Sequence, residues 1–217
     1  MKKDLGVAGE LFPQSVFIVA SYDEDGVPNA MNVAWAGECT RHEVAINIGD
    51  HKTTENILAK GAFTVAPADA AHVVEADYFG MATGRKVNKA EKSGLTFVPS
   101  EHVDAPVIEE FPLTMECVVR DVQDWGGEKR FIGEIVNTRV DESVLDEDGR
   151  VDFARMRPLV YDSTRRIYRV VGEEVGGAWE AGKALMKGIE TTALIHEAEQ
   201  RTNGASLTGG SVCFTFP

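Results

Sequence analysis

The sequence predicts a mainly β domain, a β-barrel with α-helical insertions. Six or seven short segments are rich in Val, Ile and aromatic residues, and short connections typical of antiparallel strands separate most of them. Two or three segments with helical periodicity interrupt this series, which favours a barrel decorated with helices. The chain contains no strand–GxGxxG–helix unit and no GxxxxGK(S/T) loop, so the two standard nucleotide-binding loops are missing.

The first strands form a predicted meander. "SVFIVASY" (15–22) is an apolar, β-branched run, and "DEDGVPN" (23–29) has the composition of a tight turn with Asp-Gly at its tip. "AMNVAWAG" (30–37) is the expected hairpin partner. "EVAINIG" (43–49) alternates apolar with smaller or polar residues and predicts a third strand.

In the middle of the chain, the spacing of apolar residues predicts a helix, then a strand, then a second helix. Residues 51–61 predict a short helix with Thr53 or Thr54 as its N-cap and a glycine as its stop. "AFTVAP" (62–67) is a predicted strand. Residues 69–84 predict a second short helix that runs into a glycine-marked loop.

The second half carries the strongest strand signals, at 113–122, 128–140 and 166–172, and a Gly-Gly loop joins the first two as a hairpin. From Ala178 onward a helix is predicted, although two glycines weaken it. The tail after this helix is expected to end as a strand or as an extended arm.

Composition restricts the classes of partner. The chain has 217 residues and a formal net charge of -13, which opposes attraction to nucleic acid and to anionic membranes. An anionic ligand must therefore be bound by a local cationic pocket. No apolar run approaches the roughly 20 residues of a membrane helix, the N-terminus lacks a signal-peptide core, and three scattered cysteines form no metal pattern. We expect a cytoplasmic protein without a metal site.

Two segments have the chemistry of an anion site. In "TGRKVNK" (83–89), a hydroxyl, a glycine and several cations suit a phosphate monoester, since Arg85 can bind two oxygens and Lys89 adds a point charge. In "HKTTEN" (51–56), backbone N–H groups at a helix start lie beside Lys52. Taken singly, the first segment is better explained as a solvated basic surface than as an anion site. The second is better explained as the start of an ordinary capped helix.

A third segment suits a planar ring. In "NAMNVAWAG" (29–37), Met31, Val33 and Trp35 alternate with smaller or polar residues, so the strand offers a flat surface and backbone hydrogen bonds. On its own, Trp35 is more typical of a core residue than of a ligand contact.

Together, the order and spacing of these blocks are informative. "NAMNVAWAGECTRHEVAINIGDHKTTENI", "ADYFGMATGRKVNKAEKSGL", "MECVVRDV", "RFIGEIV" and "YRVVG" followed by "GAWEAGK" resemble the flavin reductase-like FMN-binding family, in its flavoredoxin-like branch. The resemblance covers about residue 10 to Lys183. Its most specific parts are the N-x-x-N-x-A-W motif and the block in which Ser or Thr, Gly and Arg are followed by Lys.

The resemblance implies a split β-barrel of Greek-key type that forms a homodimer, with FMN near the subunit interface. The 83–89 block and the 51–56 block would hold the ribityl phosphate, and the strand through Trp35 would lie along the isoalloxazine. Lys52 stands where the family often has Arg, so its phosphate contact departs from the pattern. The implied cofactor-binding residues are Met31, Asn32, Val33, Ala34, Trp35, His51, Lys52, Thr53, Asn56, Thr83, Gly84, Arg85 and Lys89.

The implied domain organisation is a barrel over residues 1–183 and a C-terminal extension over 184–217 that packs on the barrel or on a partner subunit. The implied activity is transfer of electrons from NAD(P)H through FMN to flavin or another acceptor. An electron carrier of flavoredoxin type reduced by a protein partner, a non-catalytic FMN-binding module, and a barrel with a merely solvated basic loop remain alternatives. No residue is nominated as a catalytic acid or base.

Overall fold

The structure, a computed structural model, describes residues 1–9 and 11–186, without the side chain of Trp125. The chain forms two compact units, Met1–Gly172 and Glu173–Pro217. The first unit is mainly β, as predicted. Its strands are β1 (Gln14–Ser15), β2 (Phe17–Tyr22), β3 (Pro28–Val33), β4 (Ala36–Glu38), β5 (Glu43–Ile48), β6 (Ala62–Pro67), β7 (Phe97–Pro99), β8 (Pro106–Ile108), β9 (Leu113–Trp125), β10 (Glu128–Val140), β11 (Leu159–Asp162) and β12 (Ile167–Val170).

Four short helices complete the first unit: α1 (Lys52–Lys60), α2 (Val73–Met81), α3 (Lys89–Ser93) and α4 (Phe153–Met156). Single 3-10 turns occupy Ala70–His72 and Glu142–Val144. Of the second unit, the structure describes residues 173–186, which contain α5 (Lys183–Met186). The helix predicted from Ala178 therefore begins only at Lys183, and its continuation and the tail lie outside the described residues. The predicted domain boundary at 183/184 stays a prediction.

A curled antiparallel sheet of seven strands forms the split barrel, in the order β3-β2-β6-β9-β10-β5-β4. The hairpin predicted from the Asp-Gly turn is present, with Val19 opposite Met31 and Gly26 in a left-handed conformation (φ 79°) at the turn. The predicted strand 30–37 is wrong as one unit, because the chain leaves β3 after Val33 and re-enters the sheet as β4. The break at Ala34–Trp35 lets Trp35 accept a backbone hydrogen bond from Asn47 N at 2.8 Å.

Strand β2 is buried on both faces, which explains why its sequence is nearly continuously apolar. Val19 points into the barrel core, whereas Ile18 and Ala20 point into a second core between the sheet and α2. The barrel core also contains Val33, Val44, Ile46, Ile48, Ile57, Phe63, Val65, Met115, Cys117 and Phe131. The second core, with Ala76 and Phe79, fixes α2 over the β2–β3 hairpin.

A glycine is required where β10 crosses the barrel core. A Cβ atom on Gly133 would lie 2.5 Å from Phe63 Cζ, and the register between β9 and β10 shifts at this position. The bulge lets Phe63 fill the centre of the barrel. In the part of the chain that the structure describes, no helix is long and apolar enough to cross a membrane.

Candidate functional site

A cavity of about 250 Å³ opens where three elements meet: the start of α1, the end of α2 with the loop that follows it, and β3. Two segments predicted to bind one anion are therefore neighbours, although about 30 residues of chain separate them. We call this the first cavity. It is lined by Asn29, Met31, Asn32, His51, Lys52, Thr53, Phe79, Gly80, Met81, Ala82, Thr83, Gly84 and Lys89.

The N-terminus of α1 opens on the first cavity. The N-cap is His51 (φ -126°, ψ 160°), so the predicted threonine N-cap is wrong, and the His51 side chain makes no capping hydrogen bond. The Thr54 hydroxyl instead donates to the carbonyl oxygen of Gly49 at 2.6 Å, which ties it to the chain before the helix. Backbone N–H groups of the first turn are left without side-chain caps, and the helix dipole gives this end a partial positive charge.

Asn29 and Thr53 form one buried wall of the cavity. Asn29 Nδ2 donates to Thr53 Oγ1 at 2.8 Å. Asn29 Oδ1 is buried and has no hydrogen-bond partner within the described residues. Leaving such an acceptor unsatisfied costs about 1–3 kcal/mol, so a ligand hydroxyl or N–H that reached it would recover this energy.

Gly84 has no room for a side chain. A Cβ atom there would lie 2.2 Å from Asn29 Oδ1 and 3.5 Å from Lys52 Cβ. The backbone of the 82–88 loop thereby comes close to the β3 hairpin and to the start of α1. The glycine of the predicted anion motif thus closes the cavity around the amide of Asn29.

Lys89 is the buried cation of the site. The residue is only 3% exposed, and its Nζ donates to the carbonyl oxygen of Phe79 at 3.1 Å. Among the described residues, no carboxylate forms an ion pair with it. Burial lowers the pKa of Lys89 to about 8. An unpaired cation in a cavity wall is a strong attraction for an anionic ligand.

The other two predicted cations are already paired. Lys52 lines the cavity, and its Nζ lies 3.6 Å from Asp23 Oδ2. Arg85 does not line the cavity; its guanidinium contacts Asp50 Oδ1 at 2.5 Å and Glu55 Oε1 at 2.7 Å on the exposed side of the loop. The hydrogen bond that Asp50 accepts from Arg85 lowers the pKa of Asp50. The hydrogen bonds that Arg85 donates to Asp50 and Glu55 raise the pKa of Arg85.

Two predicted residues point away from the cavity. The Asn56 side chain is buried, and its Nδ2 donates to Ser21 Oγ at 3.1 Å. The Val33 side chain belongs to the barrel core. From these positions, Val33 offers a ligand only its backbone, and Asn56 fastens α1 to β2.

A second cavity of about 460 Å³ adjoins the first and shares Asn32, Gly80 and Met81 with it. Ala34 and Trp35, the remaining predicted residues, line this second cavity. Val16, Asp77, Tyr161, Arg166 and Tyr168 complete its walls. Ligand pockets commonly measure about 300–1,000 Å³, and the two adjoining cavities together offer room for a molecule with an anionic end and a planar end.

Tyr168 and Asp77 form the polar pair of the second cavity. The Tyr168 hydroxyl donates to Asp77 Oδ1 at 2.8 Å. Burial, reinforced by this carboxylate, raises the pKa of Tyr168 well above its usual range, so the phenol keeps its proton. The Tyr161 ring lies beside Tyr168 with 5.7 Å between centroids, and Asn32 Nδ2 donates to the carbonyl oxygen of Ala76 at 3.1 Å.

The family model described as "Flavin reductase like domain" matches residues 9–169, which carry both cavities. The chain belongs to the flavin reductase-like family. The structure is similar to that of the flavoredoxin of Desulfovibrio vulgaris (Miyazaki F), with a TM-score of 0.80 and 38% identity over 84% of this chain and all of that one.

Two further relatives of this flavin reductase-like protein are less similar to it in sequence. The crystal structure of flavoredoxin from Methanosarcina acetivorans gives a TM-score of 0.78 at 27% identity, over 85% of this chain and all of that one. An uncharacterized protein of Archaeoglobus fulgidus is 30% identical over 146 residues, which are 65% of this chain and 80% of the relative. The split-barrel fold and the family predicted from the sequence motifs are confirmed.

Several lining residues of this flavin reductase-like protein were not predicted. Asn29 could have been predicted from the sequence, because it is the first residue of the N-x-x-N-x-A-W motif. Phe79, Gly80, Met81 and Ala82 directly precede the 83–89 block, and the loop after a helix is a usual place for a site. Tyr161, Arg166 and Tyr168 come from a distant hairpin and carry no local signal.

Proposed function

We propose that this chain binds FMN and acts as an oxidoreductase of the flavin reductase type, passing electrons from NAD(P)H through FMN to flavin or another acceptor. The observation that carries the proposal is the first cavity. It combines a buried unpaired lysine, an uncapped helix N-terminus and an unsatisfied amide oxygen within about 250 Å³. FMN carries a phosphate and a polyol chain, which need these kinds of partner.

The donor set fits FMN group by group. Lys89, the first turn of α1 and the Thr83 hydroxyl are suited to the phosphate, and Lys52 adds a positive charge already shared with Asp23. Asn29 Oδ1 is suited to a hydroxyl of the polyol chain. The backbone of residues 31–35 and the adjoining second cavity are suited to the planar ring.

Bound FMN would supply the hydride and single-electron transfer of the proposed reaction. The chain's own contribution is positioning. The β2–β3 hairpin is packed on both faces and cannot shift easily, so it holds a ligand in one orientation. Tyr168, which keeps its proton, and its partner Asp77 give the second cavity one fixed polar pair.

A carrier of flavoredoxin type is the second candidate function. It is favoured by the two flavoredoxin structures, since one of them is 38% identical to this chain. A carrier would accept electrons from a protein partner. The net charge of -13 suits docking on a basic partner protein.

We also propose that the protein works as a homodimer, as the family resemblance implies. Trp35 is 55% exposed at the edge of the second cavity, and Phe153 is 58% exposed at the rim of an apolar groove between β1, β4 and α4. Large exposed aromatic side chains of this kind are typical of subunit interfaces. Sedimentation velocity should give twice the chain mass. A single-chain mass at micromolar concentration would contradict this proposal.

The test of function has two steps. Purified chain is first loaded with FMN and freed of excess flavin, and the flavin absorbance of the protein is measured. It is then mixed anaerobically with NADH or NADPH in a stopped-flow instrument. We expect bleaching of the bound flavin within seconds. Retained flavin that stays oxidised for many minutes would favour the carrier, and a protein that retains no FMN would contradict both candidates.

A further inference from the structure

An apolar groove of about 590 Å³ lies between β1, β4 and α4. It shares Val16 with the second cavity and no residue with the first. Its apolar walls include Phe17, Ala36, Leu113, Met115, Phe153 and Met156. β1 and β4 are the outer strands of their sheets, so each has one edge without a strand partner in the part of the chain that the structure describes. A groove with free strand edges suits an extended segment, which binds the edges through its backbone and the groove through alternate side chains.

The start of the chain carries apolar side chains that the rest of the structure leaves uncovered. We call residues 2–9 the N-terminal arm, and it forms neither helix nor strand. Its Leu5 and Val7 are each more than half exposed, as are Leu11 and Phe12 between the arm and β1. Exposed apolar side chains concentrated in one segment indicate an interaction with another surface.

The spacing within the arm fits the groove. In an extended chain, Leu5 and Val7 lie on one face and Ala8 lies on the opposite face. Gly6 has a left-handed backbone (φ 69°), and glycine adopts an extended conformation without a steric penalty. The arm does not enter the groove of its own chain, where the first lining residue is Ser15. The arm and the groove are therefore two apolar surfaces that do not cover each other within one chain.

Charge favours this groove as the binding place of the arm. The turns between β10 and α4 carry exposed carboxylates, at Asp141, Glu142, Glu147 and Asp148. Asp152 N donates to the carbonyl oxygen of Val144 at 2.8 Å, which fixes these turns beside α4 and thus beside the groove. The arm carries Lys2 and Lys3 against one carboxylate, Asp4, whereas the whole chain has a net charge of -13. When the apolar face of the arm lies in the groove, the carboxylates of the turns attract its two lysines.

We propose that, in a dimer of this chain, the N-terminal arm of each copy lies in the apolar groove of the other copy. The proposal rests on the homodimer proposed above and names a contact that stabilises it. In a twofold dimer the same contact occurs twice, so both arms and both grooves are covered. This exchange accounts for the exposure of Leu5 and Val7 in a single chain.

The first experiment asks which copy holds the arm. Val7→Cys and Phe153→Cys are made in separate full chains in which Cys39 and Cys213 are replaced by Ser. The two chains are loaded with FMN, mixed, left to exchange subunits and treated with a short bismaleimide. Because each chain carries one engineered cysteine, a link between positions 7 and 153 forms only between two copies. We expect a covalent species of twice the chain mass.

Each cysteine variant alone, and Val7→Cys mixed with Lys92→Cys, are the controls and should stay at the single-chain mass. A mixture that stays at the single-chain mass, or controls that cross-link equally, would overturn the exchange. A cross-link that forms only inside a chain carrying both cysteines would place the arm in its own groove and would also overturn it.

The second experiment measures the dimer dissociation constant of FMN-loaded chain by sedimentation velocity. Val7→Asp should weaken the dimer at least about 100-fold, which is about tenfold, or about 1.4 kcal/mol, for each of the two arms. Ala8→Asp adds the same charge to the opposite face and should weaken it only a few-fold. Equal effects of the two variants in a chain that dimerises would overturn the arm exchange alone. A single-chain mass for the unmodified chain would contradict the homodimer as well.

Discussion

The ammonium group of Lys89 donates to the carbonyl oxygen of Phe79 at 3.1 Å, in the wall of a cavity where no described carboxylate is paired with it. Phe79 belongs to the core that fixes α2 over the β2–β3 hairpin. The position of the charge is therefore set by the packed interior. A flexible surface loop does not determine it.

Lys89→Met should separate ligand binding from stability. Removing the ammonium group should weaken FMN binding by about 1–3 kcal/mol, since a charge-assisted contact is lost. The same change should stabilise the flavin-free chain by about 1–2 kcal/mol, because a buried unpaired charge is removed. Isothermal titration and urea unfolding measure the two effects. Lys92→Met, on an exposed lysine outside the cavity, is the control and should leave both unchanged.

FMN affinity should fall as the pH rises through about 8. Burial holds the pKa of Lys89 at about 8 in the ligand-free chain, below its usual value, and the anion binds the protonated form. The bound anion raises the pKa of Lys89, so between the two pKa values Lys89 must take up a proton when FMN binds. In this pH range the affinity for FMN should fall by up to about tenfold per pH unit. Titrations at several pH values between 7 and 10 measure this dependence. If Lys89→Met shows the same profile, another group is responsible.

Gly84→Ala should damage the site and spare the barrel. Its Cβ would lie 2.2 Å from Asn29 Oδ1, so the 82–88 loop would have to move away from the hairpin. We expect FMN affinity to fall at least about tenfold, while the midpoint of thermal unfolding of the flavin-free chain changes little. Gly9→Ala is the control, because Gly9 is exposed outside both cavities and its Cβ would meet nothing within 4 Å. Equal FMN affinity in both variants would show that the loop position is not part of the site.

Arg85 and Asp50 should prove to be energetically coupled in ligand binding. Asp50 and Glu55 hold Arg85 outside the cavity by ion pairs. These two carboxylates offset part of the attraction between the charge of Arg85 and a phosphate in the cavity. Arg85→Ala should weaken FMN binding, and Asp50→Asn should strengthen it by a smaller factor, because exposed charge contacts are screened by solvent. In Arg85→Ala/Asp50→Asn the gain should disappear. A double-mutant cycle with strictly additive effects would contradict this coupling.

Local sequence patterns predicted the hairpin of β2 and β3 and the position of α1, because apolar alternation and turn residues are properties of the local chain. The meeting of the 51–56 and 83–89 blocks was implied by the resemblance to the flavin reductase-like family. Neither source showed which cation is buried. The sequence indicated Lys89 as a phosphate contact, but only the packing of α3 against β3 and α2 reveals that Lys89 is buried.

The pairing of side chains distant in sequence could not be predicted. Arg85 meets Asp50 across 35 positions, and Tyr168 meets Asp77 across 91. Both contacts depend on how the sheet curls and on where the β11–β12 hairpin lies over α2. The N-cap of α1 was missed for a related reason, since the Thr54 hydroxyl bonds to the preceding chain and not to the helix.

The most direct test of the central claim is a comparison of FMN with riboflavin, which lacks the phosphate. Both are titrated into the full-length chain, and the dissociation constants are obtained from the quenching of flavin fluorescence. If the first cavity binds the phosphate, FMN should bind at least about 100-fold more tightly, the equivalent of about 2.7 kcal/mol. Equal affinity for the two flavins, or binding of neither, would contradict the assignment of this cavity to FMN.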